Sequence, residues 1–167
     1  MRLWQKNTIP TEEIDRFTVG HDRELDVMLA KWDALGSMAH VTMLHSIGLI
    51  DDDELPCLLA ELKNIVREAE EGRFVIEDGI EDVHSQVELT LTRKLGDMGK
   101  KIHAGRSRND QVLLDLKLFA RDGIRRVAEA VKKLSDELLA KSEEYKDVVM
   151  PGYTHLQIAM PSSFGLW

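Results

Sequence analysis

Apolar residues recur at three- and four-residue intervals along most of this chain, the spacing that places them on one face of an α-helix. The first long run begins at Asp22, where Leu25, Met28, Leu29, Trp32, Leu35, Ala39 and Met43 share a face, and Gly48 ends it. This stripe is predicted to be the buried side of that helix. Asp51 to Asp53 offer a cap for the next helix, Pro56 is tolerated in its first turn, and Leu55, Leu58, Leu59, Leu62, Ile65, Val66 and Ala69 form its stripe up to Gly72. Ahead of both, Thr11 caps a short helix that carries Glu12 and Glu13 in its first turn and ends near Phe17, before Gly20. Residues 1–10 read as an arm anchored by Trp4 and Ile9.

Phe74 to Ile76 reads as a brief extended piece, after which Asp78 or Glu81 starts a helix with Val83, Val87, Leu91 and Leu95 inward. His84 and Glu88 project together from another face of it. A histidine and a carboxylate four apart could share a metal, but the sequence shows no third ligand at workable spacing, so the pair is read as hydrogen-bonded or solvated and no metal is expected. The longest pattern runs from Ser107 to about Tyr145, with Leu113, Leu116, Ala120, Ile124, Val127, Val131, Leu134 and Leu138 on a heptad-like seam. A helix of about 55 Å, at 1.5 Å per residue, exceeds what a compact domain of this size needs, so the seam should meet other helices, economically those of a partner chain. Pro161 reads as the first-turn proline of a further helix opened by Phe164, Leu166 and Trp167. So short a helix has no stability of its own, and the chain is therefore expected to be the amino-terminal part of a longer protein. The expected fold class is all-α, with an amino-terminal helical domain over 1–106 and the start of a long-helix bundle over 107–167.

Charge and cysteine content narrow the possible partners. The 167 residues carry a formal net charge of −8, with basic and acidic residues interleaved, which argues against nucleic acid or an anionic membrane as partner. One cysteine, Cys57, excludes an intrachain disulfide and a zinc framework; lying in an apolar helical pattern, it is expected to be a buried thiol in a reducing compartment. No window approaches the ~18 apolar residues of a membrane span and no signal-peptide order is seen, so a cytoplasmic protein is expected.

Candidate chemistry gathers in two loops. Gly105-Arg106-Ser107-Arg108-Asn109-Asp110-Gln111 opens the longest helix, and Ser107 with Asp110 three residues on has the spacing of a capping box. Unpaired N–H groups, the positive end of the helix dipole and flanking arginines together favour a carboxylate or phosphate. The second loop, Pro151-Gly152-Tyr153-Thr154-His155-Leu156-Gln157, sets a histidine beside hydrogen-bonding side chains.

These two loops, with Glu81-Asp82-Val83-His84, Glu88 and Asp22-Arg23-Glu24-Leu25 in the same order and spacing, resemble the amino-terminal part of the argininosuccinate lyases of the fumarase/aspartase superfamily. The resemblance spans nearly the whole chain. It implies reversible elimination of argininosuccinate to arginine and fumarate without a cofactor, in a homotetramer built on long helices whose active sites each draw on three subunits. It further implies that Arg108 and Asn109 contact a substrate carboxylate, with Ser107 beside them. Thr154 would be a substrate contact and His155 the catalytic-loop histidine. Thr18, where the family usually has serine, and Asp22 would belong to the first substrate-binding segment, and His84 would line the site. The family's serine base lies on a Gly-Ser-Ser loop beyond the last residue here, so the chain by itself is expected to be inactive. Adenylosuccinate lyase, aspartase and fumarase read differently at the arginine loop. The alternative of another class is a non-catalytic structural protein on the same fold, as lens delta-crystallins are, or a helical assembly module.

Overall fold

The computed structural model describes residues 12–167, so the arm over residues 1–10 and the Thr11 cap lie outside the described residues. Seven α-helices follow in order among the described residues: α1 Glu12–Val19, α2 Asp22–Asp26, α3 Ala30–Ser46, α4 Glu54–Glu70, α5 Val83–Leu95, α6 Asp97–Lys100 and α7 Arg108–Glu144. Short 3-10 turns at Val27–Leu29 and Lys101–His103 link α2 to α3 and follow α6. Two strands, β1 Val149–Thr154 and β2 Gln157–Ser163, close the chain. The chain forms two compact units that part between Ala120 and Arg121.

In the first unit α3, α4 and α5 pack around one apolar core, with Ile50, Phe74 and Ile102 filling its ends. The stripe on α4 behaves as its spacing requires: Leu58, Leu62 and Ile65 are fully buried, while Leu55, Leu59, Val66 and Ala69 pack against them. Each such side chain contributes about 1.5–3 kcal/mol by leaving water. Val83, Val87 and Leu91 do the same on α5, with Leu95 at the margin.

On α3 the expected stripe is corrected. Ahead of it Leu25 and Met28 are exposed while Leu29 is buried, and on α3 itself Trp32 packs against the core, Met43 is exposed and the buried positions are Ala30, Asp33, Ala34, Gly36, Ser37, Val41 and Leu44. Apolar residues occur on every side of this helix, so periodicity alone does not choose a face; packing against α4 and α5 does, and at Gly36 a close approach of α7 adds to it. A Cβ added to Gly36 would stand 2.8 Å from the Leu114 Cδ2 of α7, a separation that small residues alone permit. Cys57 is likewise corrected: it is exposed, with its thiol near the Asp53 carbonyl, because it lies off the α4 stripe.

The Asp82 carboxylate caps α5, accepting from the Ser85 N–H at 2.8 Å, so the helix starts at Val83 and not at Asp78 or Glu81. Residues 73–77 form no strand. Beyond α5, Gly99 on α6 sits so close to its neighbour that an added Cβ would lie 2.5 Å from the Leu91 carbonyl carbon and the Thr92 nitrogen.

The second unit comprises the rest of α7 and a hairpin. β1 and β2 pair antiparallel, Thr154 facing Gln157 across a two-residue turn made by His155 (φ 50) and Leu156 (φ 64). Positive φ at both positions is the geometry that matches strand twist in a tight hairpin, here adopted without the glycine or asparagine that usually supplies it. The helix expected to open at Pro161 is therefore replaced by a strand. Pro161 faces Pro151, so the two residues that lack an N–H donor share one rung of the ladder. Tyr145 and Phe164 stack with ring centroids 5.5 Å apart. On α7, Ile124, Val127, Val131, Leu134 and Leu138 are all exposed, which leaves most of the predicted seam uncovered within this chain.

Candidate functional site

The amino-terminal tip of α7 is built as the capping box requires from one side: the Ser107 N–H and hydroxyl both donate to Asp110 Oδ2, at 2.8 and 3.1 Å. Those bonds, from the backbone first and the hydroxyl second, hold the Asp110 carboxyl below the usual aspartate range. Arg108 reaches to the start of α5, where Nη1 donates to the Asp82 carboxylate and Nη2 to Ser85 Oγ at 2.8 Å. Glu81 Oε2 lies 3.5 Å from the same guanidinium. Two helix N-termini are thereby tied side by side, each presenting N–H groups and dipole of positive sign. Asn109 is exposed in the first turn of α7. Arg106, paired with Arg108 in the sequence, turns the other way: it donates to Ser37 Oγ at 2.8 Å and to the Ile102 carbonyl at 3.0 Å. Its role is to anchor the loop.

Beneath this tip lies a polar cluster that the sequence reading missed. His84 Nδ1 donates to Asp33 Oδ1 at 3.0 Å and lies 3.8 Å from Asp115 Oδ2, and Gln111 Nε2 donates to the same Asp33 oxygen at 3.1 Å. His84 thus pairs with α3 and α7 and not with Glu88, its expected neighbour. Asp33 and Asp115 are each 1% exposed and His84 8%. Burial works against the charged imidazole, but the hydrogen bond to Asp33 and the charges of Asp33, Asp82 and Asp115 outweigh it and raise the His84 pKa. Burial, reinforced by the neighbouring Asp33, pushes Asp115 up to about 7. Burial also raises Glu88 and Asp26, the latter accepting from the Val83 N–H.

Asp33, His84 and Asp115 hold one donor atom each within 4.8 Å of one another, the donor set of a cation site. The third ligand sought near His84 and Glu88 was invisible in the sequence because it comes from α3 and α7. A protonated Nδ1 already bonded to Asp33 is, however, a donor and not a ligand, and the guanidinium of Arg106 adds a fixed positive charge beside both carboxylates. The cluster's signal in the sequence was faint: Asp33 follows Trp32 and precedes Ala34, and Asp115 stands between Leu114 and Leu116, acids set into otherwise apolar runs.

The remaining expected site residues are dispersed. Thr18 is exposed on the last turn of α1, its hydroxyl donating to the Ile14 carbonyl at 2.8 Å. Asp22 is exposed as the first residue of α2. Thr154 and His155 belong to the second unit, both exposed at the hairpin turn, where His155 takes its positive φ.

A family model described as lyase matches residues 15–167. The chain belongs to this lyase family. Its predominantly helical architecture is that of the fumarase/aspartase fold. Among the relatives of this lyase chain, an argininosuccinate lyase of Phocaeicola vulgatus is 72% identical over 99% of the chain and 37% of its own length. One of Bacteroides fragilis is 69% identical over the same shares, and one of Thiobacillus denitrificans is 41% identical over 93% of the chain and 33% of its own length. The lyase chain thus spans about 37% of the length of its similar curated relatives. Among the described residues no helix is long and apolar enough to cross a membrane.

Proposed function

We propose that this chain contributes to an argininosuccinate lyase, which eliminates arginine from argininosuccinate to give fumarate and runs in reverse. The observation that carries the reading is the paired helix tips with Arg108 stretched between them, in a chain 72% identical to a protein of that name. Elimination needs a base for a carbon-bound proton, an electrostatic cradle for the carbanion-like dianion that forms, and an acid for the departing nitrogen. This chain supplies the cradle. Arg108 offers a charged fork and Asn109 an amide to a substrate carboxylate, Ser107 frames the tip, and Thr154 and His155 act on the bound succinyl portion. Thr18 and Asp22 border the substrate, and His84 lines the site.

The assembly proposed is a homotetramer in which the exposed apolar positions of α7 pack against long helices of other copies. The domain boundary is taken at 106/107, where the tip begins, and the protein is cytoplasmic, needing neither nucleic acid nor membrane. The chain, which spans about 37% of the length of its curated relatives, is expected not to turn over substrate by itself. The test follows fumarate by its ultraviolet absorbance, with argininosuccinate and adenylosuccinate offered separately to the full-length protein that carries this chain. Cleavage of argininosuccinate alone is expected. Cleavage of adenylosuccinate instead, or of neither, refutes the reading, and turnover by the 167-residue chain refutes the expectation that it is inactive by itself.

A further inference from the structure

The reading above gives Asp33, Gln111 and Asp115 no task, yet their geometry around His84 is specific. His84 is the residue next to Ser85, and Ser85 and Asp82 are the two groups that grip Arg108. The Nδ1 of His84 is engaged inward by Asp33; its Nε2 has no hydrogen-bond partner among the described residues. A ring tied through its Nδ1–H is fixed in plane, and in its imidazolium form, which the flanking carboxylates favour, the Nε2 also carries a hydrogen and presents it in a set direction. We propose that Asp33 is a positioning residue: through Nδ1 it locks His84 so that the Nε2–H is presented, beside Arg108, as a second donor to the bound carboxylate.

Three features support this assignment. Asp33 is tied into α7 by Gln111, so the lock spans three helices and does not depend on one bond. The groups facing the ring are mostly acidic: Asp33 and Asp26, Asp82 of α5, and Asp115 of α7, with Arg106 the opposing cation. They raise its pKa despite its burial and so favour the imidazolium, the form that donates from both nitrogens. The orphaned oxygens Asp33 Oδ2, Asp115 Oδ2 and Gln111 Oε1 make the environment electron-rich around a cation, the condition in which an imidazolium is stabilised.

The identity of the anion rests on the lyase reading; the lock on His84 does not. The two are separated by observing the ring directly. Ring-nitrogen NMR of the chain, titrated with alkali, should show His84 protonated at both nitrogens at pH 7, and Asp33→Asn should lower its midpoint by at least one pH unit while Asn still accepts from Nδ1–H. A wild-type His84 that is neutral at pH 7, or a midpoint that Asp33→Asn leaves in place, overturns the proposal without reference to catalysis. So does a stoichiometric shift of the ring signals on adding Zn²⁺, since Nδ1 would then be a ligand.

In the full-length protein, Asp33→Asn should raise KM for argininosuccinate at least tenfold, increasingly so from pH 6 to pH 8, and should change kcat less. In a His84→Asn background the same substitution should add nothing. An equal loss in both backgrounds would mean that Asp33 merely supports the fold, and would overturn the assignment. Absence of any argininosuccinate cleavage by the wild type would refute the lyase reading and leave the NMR titration to decide this one.

Discussion

Asp115→Asn should stabilise the protein, and should do so in a pH-dependent way. Asp115 is almost wholly buried and its pKa is pushed up to about 7 from 3.8, so the folded state binds its proton more tightly than the unfolded state does. The associated cost is absent below pH 3.8, grows as pH rises from there to about 7, and is complete above. At about 1.36 kcal/mol for each pH unit, the ionised form is disfavoured by about 4 kcal/mol. Asparagine has nearly the same shape and carries no charge. Part of the gain is offset because His84 loses a neighbouring anion, so a net stabilisation of about 2–3 kcal/mol is expected at pH 8, falling below about 1 kcal/mol at pH 4. His84 pulls in the same direction: its raised pKa gives stability that is fully present below pH 6.5 and is lost as pH rises through the folded value. Urea unfolding followed by helical circular dichroism at pH 4, 6 and 8 measures both. A difference between wild type and variant that does not change with pH, or a variant less stable at pH 8, refutes the reasoning.

Further outcomes follow from other contacts. Gly99→Ala forces a Cβ against the backbone of α5 at 2.5 Å, and should lower stability by about 1–3 kcal/mol in the same urea assay; an unchanged midpoint would mean that α6 can slide. Arg108→Ala in the full-length protein removes a charge-assisted contact and should cut kcat/KM for argininosuccinate by about thirtyfold to a thousandfold, equivalent to about 2–4 kcal/mol. An unaltered constant removes Arg108 from the site. Val131→Lys with Leu134→Lys sets charges into the exposed α7 stripe and should reduce the assembly seen by sedimentation, whereas a mass unchanged from wild type shows that this face is not an interface.

The legible parts of the fold were those where one physical signal dominated. On α4 the apolar residues form a single stripe and the buried set is a subset of it. The start of α7 was marked by Ser107 and Asp110, whose bonds form as their spacing suggests. On α3 the apolar residues surround the helix, and the buried face is the one that α4 and α5 cover, where Ala30, Ala34, Val41 and Leu44 join the core, a property of the neighbours and not of α3 itself. Pro161 was read for its own φ preference, while the pairing of β2 with β1 fixed its environment from a distance. Of the candidate site, the arginine tip was visible because its residues are contiguous. Asp82 stood in the Glu81-Asp82-Val83-His84 motif, but its grip on Arg108 with Ser85 and the buried Asp33 and Asp115 were not visible, because charged groups far apart in sequence betray nothing of their contacts until the chain is folded.

Arg108 is already straightened and gripped before any ligand comes. A free arginine at a surface samples many rotamers, and a newly arriving anion must arrest them. Here the fork is stretched between Asp82 and Ser85, so on the proposed reading recognition would be an exchange of one carboxylate for another at a cation whose direction is settled beforehand. Discrimination then falls to whether the newcomer can outcompete the resident aspartate, and a dianion, with a second carboxylate for the neighbouring helix end, is better equipped to do so than a monoanion.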